Sequence, residues 1–179
     1  MKKILLTILT IIMFTGCKGT LLNTPTKKVE MFFNKYQSLD DDVINQLKSV
    51  VDNEISFTKE QGLTYIDVMK KHYQSLKYRI KDEVIDGDSA VVTVEIEVND
   101  YSKLLKDADK YLKEHESEFM KSGKIDETLF NDYRLKKIKN VDDRVKYTID
   151  MTLTKVDGEW ELDEVSRDTK DKIQGIYYE

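Results

Sequence analysis

The spacing of the apolar residues changes at about residue 77, and this change limits the folds that the sequence can adopt. Before residue 77 the apolar residues recur every three or four positions, which is typical of amphipathic helices. After that point several segments alternate apolar and polar residues, which is typical of strands with one buried face. The clearest strand has these apolar residues at every second position: Ala90, Val92, Val94, Ile96 and Val98.

Three helix starts are recognisable from their capping residues. Thr24 can cap a first helix that has Pro25 in its first position, where the missing N–H costs nothing. Asp40 can cap a second helix, and Thr58 with Gln61 forms the capping-box pattern of a third. The sequence therefore predicts three helices ahead of the first strand.

The second half of the sequence predicts two strand pairs that are separated by a helical insert at about residues 101–140. Gly87 and Gly158 mark the turns of the two pairs, and Gly123 marks a break within the insert. Residues 170–178 predict a short closing helix. Helices followed by hairpins indicate the α+β class, with the N-terminal helices packed on one face of an antiparallel sheet.

The first residues have the pattern of an export signal. Lys2 and Lys3 precede an apolar run at residues 4–14, and small residues follow it. A run of about eleven residues is too short to span a bilayer as a helix, which takes about twenty. We therefore predict that residues 1–16 are a cleaved signal peptide.

The end of this signal, Phe14-Thr15-Gly16-Cys17, resembles the lipobox of bacterial lipoproteins. The resemblance implies cleavage between Gly16 and Cys17 and attachment of a diacylglyceryl group to the Cys17 sulfur, although Phe14 stands where the family usually has Leu. Residues 17–23 then form a lipidated cysteine and a tether. The alternative is an ordinary secreted protein, but Cys17 is the only cysteine and cannot form an internal disulfide.

The charge of the chain limits the partners that it can have. The formal net charge is −5, and loss of Lys2 and Lys3 with the signal brings the mature part to about −7. Such a chain lacks the basic stripe that nucleic acid requires and the polybasic segment that holds anionic lipid. The lipid on Cys17 is thus the predicted membrane contact, on the extracytoplasmic face of the cell membrane.

Two segments carry a second resemblance. Pro25 opens an amphipathic helix that contains Phe32-Phe33, and residues 154–162 form a late hairpin with an Asp-Gly turn and Trp160. These features resemble the NTF2-like (cystatin-like cone) domains of Firmicute lipoproteins of unknown function. The resemblance implies a curved sheet that wraps the first helix and leaves a pocket at its open end.

This resemblance spans about residues 24–167, within a single domain at residues 24–179. The insert at about residues 101–140 is larger than a minimal cone needs. Tyr36, Tyr73 and Tyr147 could each bring a hydroxyl to the pocket, although packing in the core explains such rings equally well. Asp150 is expected to face water, so the catalytic arrangement of enzymatic relatives is not carried over.

A local basic run stands out in the acidic chain, with members Arg134, Lys136, Lys137 and Lys139. One interpretation is a solvated helix face, and the other is contact with a polyanion such as phosphate-rich wall polymer or lipid headgroups.

Known catalytic and metal-binding patterns were not found in the sequence. His115-Glu116 begins like a zinc-protease helix, but Phe119 stands where the second histidine is required. We expect His115 to be partly buried on the apolar stripe of its helix. The sequence has two histidines and no phosphate-binding glycine loop, so we expect no metal and no cofactor.

Two functions remain open from the sequence. The first is a non-catalytic binding domain that is anchored through Cys17 and whose partner is another cell-envelope protein. The alternative is a small-ligand carrier or enzyme that uses the pocket of the cone. A lesser hypothesis is attachment to wall polymer through the basic run.

Overall fold

The computed structural model describes residues 23–54 and 56–178. The helices are α1 (Pro25–Ser38), α2 (Asp41–Asn53), α3 (Lys59–Ser75), α4 (Tyr101–Glu114), α5 (Glu127–Ile138) and α6 (Arg167–Gln174), with a 3₁₀ turn at Glu116–Phe119. The strands are β1 (Lys77–Asp86), β2 (Ser89–Asn99), β3 (Met120–Lys121), β4 (Lys124–Ile125), β5 (Arg144–Val156) and β6 (Glu159–Leu162). The predicted α+β class is confirmed.

The three N-terminal helices begin where their capping residues predict. The Thr24 side chain accepts a hydrogen bond from the Lys27 N–H, with Pro25 in the first turn. Asp40 caps α2, and Thr58 with Gln61 forms a complete capping box on α3.

One antiparallel sheet with the strand order β1-β2-β5-β6 carries the fold. On β2 the five predicted core residues are buried, from Ala90 to Val98. On β5 the buried residues are Ile149, Met151 and Leu153. The other face is polar, with an ion pair between Arg79 and Glu95. The sheet therefore has one dry and one wet face.

The dry face is covered first by α1, which contacts β1, β2 and β6. Val29 and Phe33 are fully buried there, and the Phe33 ring stacks on Tyr78 with 4.9 Å between ring centroids. Leu39 ends α1 with a left-handed backbone, and the chain then enters α2, which packs on α3. The main core lies between the sheet and the helices, and all six described helices contribute buried residues to it.

The sheet has two distinct ends. At the first, which we name the turn end, the β1–β2 and β5–β6 turns lie together, because the Lys155 N–H donates to the Asp88 carbonyl at 2.8 Å. At the second, which we name the insert end, β2 stops at Asn99 opposite Arg144. Helix α4 leaves from this end and the chain returns to it after α5.

The insert contains more than the predicted helices. Between α4 and α5 the chain forms the 3₁₀ turn and a small β3–β4 hairpin, where Ser122 and Gly123 both have positive φ. The insert also has its own small core, formed by Ala108, Phe119 and Phe130. Its helices also contribute Tyr101, Leu135 and Ile138 to the main core, so the insert packs against the rest of the domain.

Several sequence expectations at the level of side chains were wrong. Helical spacing places Val50 on the apolar face predicted for α2 and Leu63 on that predicted for α3, but they are 50% and 58% exposed. His115 was expected to be partly buried, but α4 ends at Glu114, and the exposed His115 ring stacks on Tyr111 instead. The closing helix begins earlier than predicted, because Ser166 caps it.

Candidate functional site

A cavity of about 520 Å³ lies between the insert and the rest of the domain, and we name it the insert cleft. Its apolar lining comes from three helices, each of which supplies residues one turn apart on a single face. These are Tyr65 and Met69 of α3, Tyr101 and Leu105 of α4, and Leu135 and Ile138 of α5. Phe57, in the α2–α3 loop, stands beside Tyr65 with 5.8 Å between ring centroids.

Polar groups surround this apolar floor. Asn131 is buried, and its amide donates to the Ser56 hydroxyl at 2.8 Å, which ties α5 to the α2–α3 loop. Glu54 accepts hydrogen bonds from the Ser56 hydroxyl at 2.7 Å and from the Ser56 N–H at 3.2 Å. These bonds favour the ionised form and lower the pKa of Glu54.

Arg134 is the only arginine in the lining of the insert cleft. Its guanidinium donates to Asp109 of α4 and lies over the Phe130 ring, 4.2 Å from the centroid. Its Nε–H is buried and has no hydrogen-bond partner among the described residues. Asp109 thus offsets the charge of Arg134.

The remaining lining charges are the carboxylates of Glu54 and Glu127. Within residues 23–54 and 56–178, neither carboxylate has a cation within ion-pair distance. The insert cleft therefore combines an apolar floor with a rim of net negative charge.

His72 forms the layer behind the insert cleft and was missed as a special residue by the sequence reasoning. It is fully buried, its ring centroid lies 5.0 Å from that of Tyr101, and its Nε2 lies 2.8 Å from the Ile173 carbonyl oxygen. A carbonyl only accepts, so Nε2 carries the proton and Nδ1 is the unprotonated nitrogen. Burial lowers the pKa of His72 to about 4.

The bond from His72 holds the C-terminal segment against the insert end. Just beyond it, the Tyr101 N–H donates to the Gly175 carbonyl at 2.9 Å. Gln174 and Ile176, on either side of Gly175, line the insert cleft. His72 thus positions one wall of the cleft. The sequence signal that could have revealed the burial of His72 is its spacing, because it lies on the same helical face as Met69 and Tyr73.

A second cavity of about 350 Å³ shares Tyr101 and Ile138 with the insert cleft. One of its charged lining residues, Arg144, is fully engaged: the guanidinium donates to the Glu97 carboxylate, to the Asn99 side chain and to the Ser75 carbonyl. Arg144 therefore joins β5, β2 and the end of α3 at the insert end.

The three tyrosines predicted for a pocket lie outside the insert cleft. Tyr36 and Tyr73 are brought together in the core, edge to face at 4.9 Å, and burial raises the pKa of both hydroxyls. Tyr147 lies on β5 and packs edge to face against Tyr177 at 5.9 Å.

The basic run is divided between surfaces. Arg134 turns into the insert cleft, and the Lys137 ammonium lies 5.3 Å from the centre of the Tyr133 ring. Lys136 and Lys139 are exposed and border a different cavity on α3 and α5. A helix turns about 100° per residue, so Arg134 and Lys137 lie on one side of this segment and Lys136 and Lys139 on another.

The predicted lipidation at Cys17 and cleavage after Gly16 lie outside the described residues. In the part of the chain that the structure covers, none of the helices has the length and apolar content to cross a membrane. The same part contains no cluster of three or more His, Cys, Asp or Glu side chains that could hold a metal ion.

No family model matches the sequence, and no curated protein matches it significantly. A solved structure that resembles the chain is that of YcdA from Bacillus subtilis, which is provisionally described as a lipoprotein. The two share 16% sequence identity with a TM-score of 0.49, over 78% of this chain and 47% of YcdA. The chain thus spans about half the length of that protein.

Proposed function

We propose that this protein is a lipoprotein, anchored through Cys17 on the extracytoplasmic face of the cell membrane, that binds a ligand in the insert cleft without catalysis. The observation that carries the binding role is the cavity of about 520 Å³ with an apolar floor and a polar rim. Sites for small molecules commonly have about 300–1,000 Å³ and this composition. A binding role is favoured because rim groups are already held by protein partners, Asn131 and Glu54 by Ser56 and Arg134 by Asp109.

The anchor rests on the export signal and on the lipobox-like residues that end at Cys17. Its test is the full-length gene product and its Cys17→Ser variant, compared by detergent phase partitioning and intact mass. We expect the wild type to enter the detergent phase with the mass of a diacylglyceryl group, and the variant to lose both. A wild type that stays in the aqueous phase would contradict the anchor.

The chemistry of the insert cleft favours a ligand with an apolar body and one cationic group. The carboxylates of Glu54 and Glu127 attract a cation, and the faces of Phe57 and Tyr65 add cation–π contacts. The same two carboxylates repel an anion of equal size.

A pair of matched probes tests this preference. 2-Phenylethylammonium and 3-phenylpropionate have similar apolar bodies and opposite charges. We expect the purified wild-type lipoprotein to bind the ammonium more tightly by NMR saturation transfer and titration. Equal binding of the two probes would contradict the cationic preference, and binding of neither would contradict a small-ligand site.

Charge-neutralising variants test whether Glu54 and Glu127 cause the preference for a cationic ligand. The double variant Glu54→Gln/Glu127→Gln should bind the ammonium about three- to tenfold more weakly, since each exposed ion pair is worth about 0.2–1 kcal/mol. Glu116→Gln, at an exposed position of the insert outside the cleft lining, is the matched control and should bind like the wild type.

The ligand of the insert cleft could also be part of another cell-envelope protein. A basic side chain next to an apolar side chain of that protein would have the same cationic group and apolar body. Crosslinking on intact cells tests this source, and recovery of the monomer alone would count against it. Contact of Lys136, Lys137 and Lys139 with a wall polyanion stays a separate prediction. Reversing these three charges without loss of wall retention would dispose of it.

We also propose that the sheet and its first helix form an NTF2-like cone. Support comes from α1, which packs across the dry face and contacts both outer strands, β1 and β6. An experimental structure whose sheet and α1 superpose on NTF2-like domains would agree with this proposal. A flat sheet that does not enclose α1 would contradict it.

A further inference from the structure

We propose that the turn end of the sheet is the surface that faces the lipid bilayer, so that the insert end and its cleft are held away from the membrane. This orientation rests on the proposed lipidation of Cys17. The proposal of lipidation says only that the protein is anchored. The orientation goes further, because it identifies the surface that meets the membrane and the side from which a ligand reaches the cleft.

The first step is the place where the tether joins the domain. The Asn23 side-chain amide donates to the Gly158 carbonyl at 3.0 Å, and its Oδ1 accepts from the Trp160 N–H at 2.8 Å. These two bonds attach Asn23 to the β5–β6 turn. The start of α1 is held at the same end, because the Thr26 N–H donates to the Glu83 carboxylate at 2.8 Å.

The second step is reach. Five residues, 18–22, separate Cys17 from Asn23. At about 3.3–3.6 Å per residue, the chain from Cys17 to Asn23 spans at most about 20 Å. The turn end therefore stays within that distance of the lipid-bearing residue.

The third step is the length of the sheet. Strand β2 has 11 residues from the turn at Ser89 to the insert end at Asn99, which is about 33 Å at about 3.3 Å per residue. Tyr101, in the wall of the insert cleft, begins α4 two residues beyond Asn99. The cleft wall at the insert end thus lies farther from the turn end than the tether can reach.

The surface of the turn end suits a position close to lipid. Val84, Ile85 and Val156 are exposed there by 58%, 51% and 44%, which places apolar side chains around the two turns. The carboxylates of Asp86 and Asp157 lie next to them and keep this surface hydrated. The contact expected is therefore peripheral, among headgroups. The acidic charge of the whole chain also disfavours lying flat on an anionic leaflet.

Energy transfer to the membrane tests the orientation in the lipidated protein. Cys17 is the only cysteine, and its sulfur is acylated in the proposed mature form, so an introduced cysteine is the single free thiol. Asp88→Cys places a donor dye at the turn end, and Lys103→Cys places one at the insert end, on exposed positions. The proteins are reconstituted in phosphatidylcholine–phosphatidylglycerol vesicles that carry an acceptor-labelled lipid.

We expect the dye at position 88 to transfer at least about twofold more efficiently than the dye at position 103, because about 30 Å of sheet separates the two ends. Equal or reversed efficiencies in protein that floats with the vesicles would overturn the orientation and leave the anchor intact. Protein that does not float would contradict the anchor itself, and with it the orientation.

A variant of Asn23 tests the attachment. Asn23→Ala removes both bonds to the β5–β6 hairpin, so the difference between the two dye positions should shrink while flotation is unchanged. Asn53→Ala is the matched control, because among the described residues that side chain bonds to Ser49 of its own helix and not to the β5–β6 hairpin. An Asn23→Ala protein with the wild-type difference would show that Asn23 does not set the orientation.

Discussion

His72 connects the C-terminal segment to the body of the domain through one hydrogen bond in a dry environment. It faces Tyr73 and Tyr101, and the Arg144 guanidinium nearby further disfavours a positive charge on the ring. The ring stays neutral because burial leaves no solvent to hydrate an imidazolium. The position of the cleft wall at Gln174 and Ile176 therefore depends on the protonation state of His72.

We expect this arrangement to lose stability in mild acid. The pKa of His72 is about 4 in the folded protein, against an ordinary value of 6.5. Above pH 6.5 the histidine is neutral in both states, and its stabilising effect is complete. Between pH 6.5 and 4 only the unfolded chain takes up the proton, so the free energy of unfolding falls by about 3 kcal/mol over that range.

The measurement is urea unfolding of the wild type and of His72→Gln at several pH values from 7.5 to 4.5. The glutamine amide can still donate to the Ile173 carbonyl but does not titrate. We expect a clearly flatter pH dependence in the variant. Parallel curves for the two proteins would show that His72 does not titrate on unfolding.

Gly175 provides a second residue-level prediction. Its φ is +71°, and a Cβ added there would collide with the Asn99 backbone carbonyl and press on the His72 ring. Backbone cannot move aside cheaply, so Gly175→Ala should cost about 3 kcal/mol of unfolding free energy. Gly123→Ala is the control, since Gly123 has a φ of +79° and open space around it, and should cost about 1 kcal/mol. Similar losses in thermal or urea unfolding for both variants would contradict the collision.

The two histidines show what sequence could and could not predict at this scale. The apolar stripe of α4 continues in sequence through His115, but the helix ends one residue earlier and leaves the ring exposed. His72 lies on the buried face of α3, and its burial was predictable from spacing alone. Its partner, the Ile173 carbonyl, lies 101 residues away and could not be inferred from local pattern.

At the scale of elements, local chemistry predicted the starts of α1, α2 and α3, because a cap involves residues two or three positions apart. The same reasoning treated residues 134–139 as one basic face. Arg134 leaves that face because Asp109, on a different helix, pairs with it. Ion pairs between helices depend on how the helices pack, so they cannot be predicted from a local sequence pattern.

The pair of Asp109 and Arg134 links α4 to α5, and a double-mutant cycle measures this link. The cycle uses Asp109→Asn, Arg134→Met and the combination, with urea unfolding as the readout. We expect a coupling of about 0.5–1 kcal/mol, since both side chains are partly exposed and solvent screens them. The pair Lys110–Glu114, within α4, serves as the comparison and should give about 0.3 kcal/mol. A coupling no larger than that of the comparison pair would contradict a special link.

For the molecule as a whole, the alternation of apolar and polar residues in β2 and β5 predicted which face of the sheet is buried. Successive side chains of a strand point to opposite faces, so every second residue shares one face. The insert cleft was not predictable. Its walls come from the α2–α3 loop, α3, α4, α5 and the C-terminal segment, which are distant in sequence. Only the packing of the insert on the body creates it.

The insert has a core of its own, and this predicts that the molecule opens in two steps. Ala108, Phe119 and Phe130 form a cluster separate from the main core. So small a cluster supplies little stabilisation, and we expect insert amides to exchange hydrogen through an opening that leaves the sheet intact. Phe119→Ala should increase exchange in α4 and α5 strongly, since removing a buried Phe commonly costs about 3–5 kcal/mol.

Hydrogen-exchange mass spectrometry of the protein measures this effect peptide by peptide. In Phe119→Ala the amides of β2 and β5 should keep wild-type protection. Val94→Ala, in the main core, should instead accelerate exchange in the sheet and the insert together, because α4 and α5 connect to the ends of β2 and β5. Loss of sheet protection in Phe119→Ala would show that insert and sheet unfold as one unit. In that case the insert could not move relative to the body to admit a ligand while the sheet remains folded.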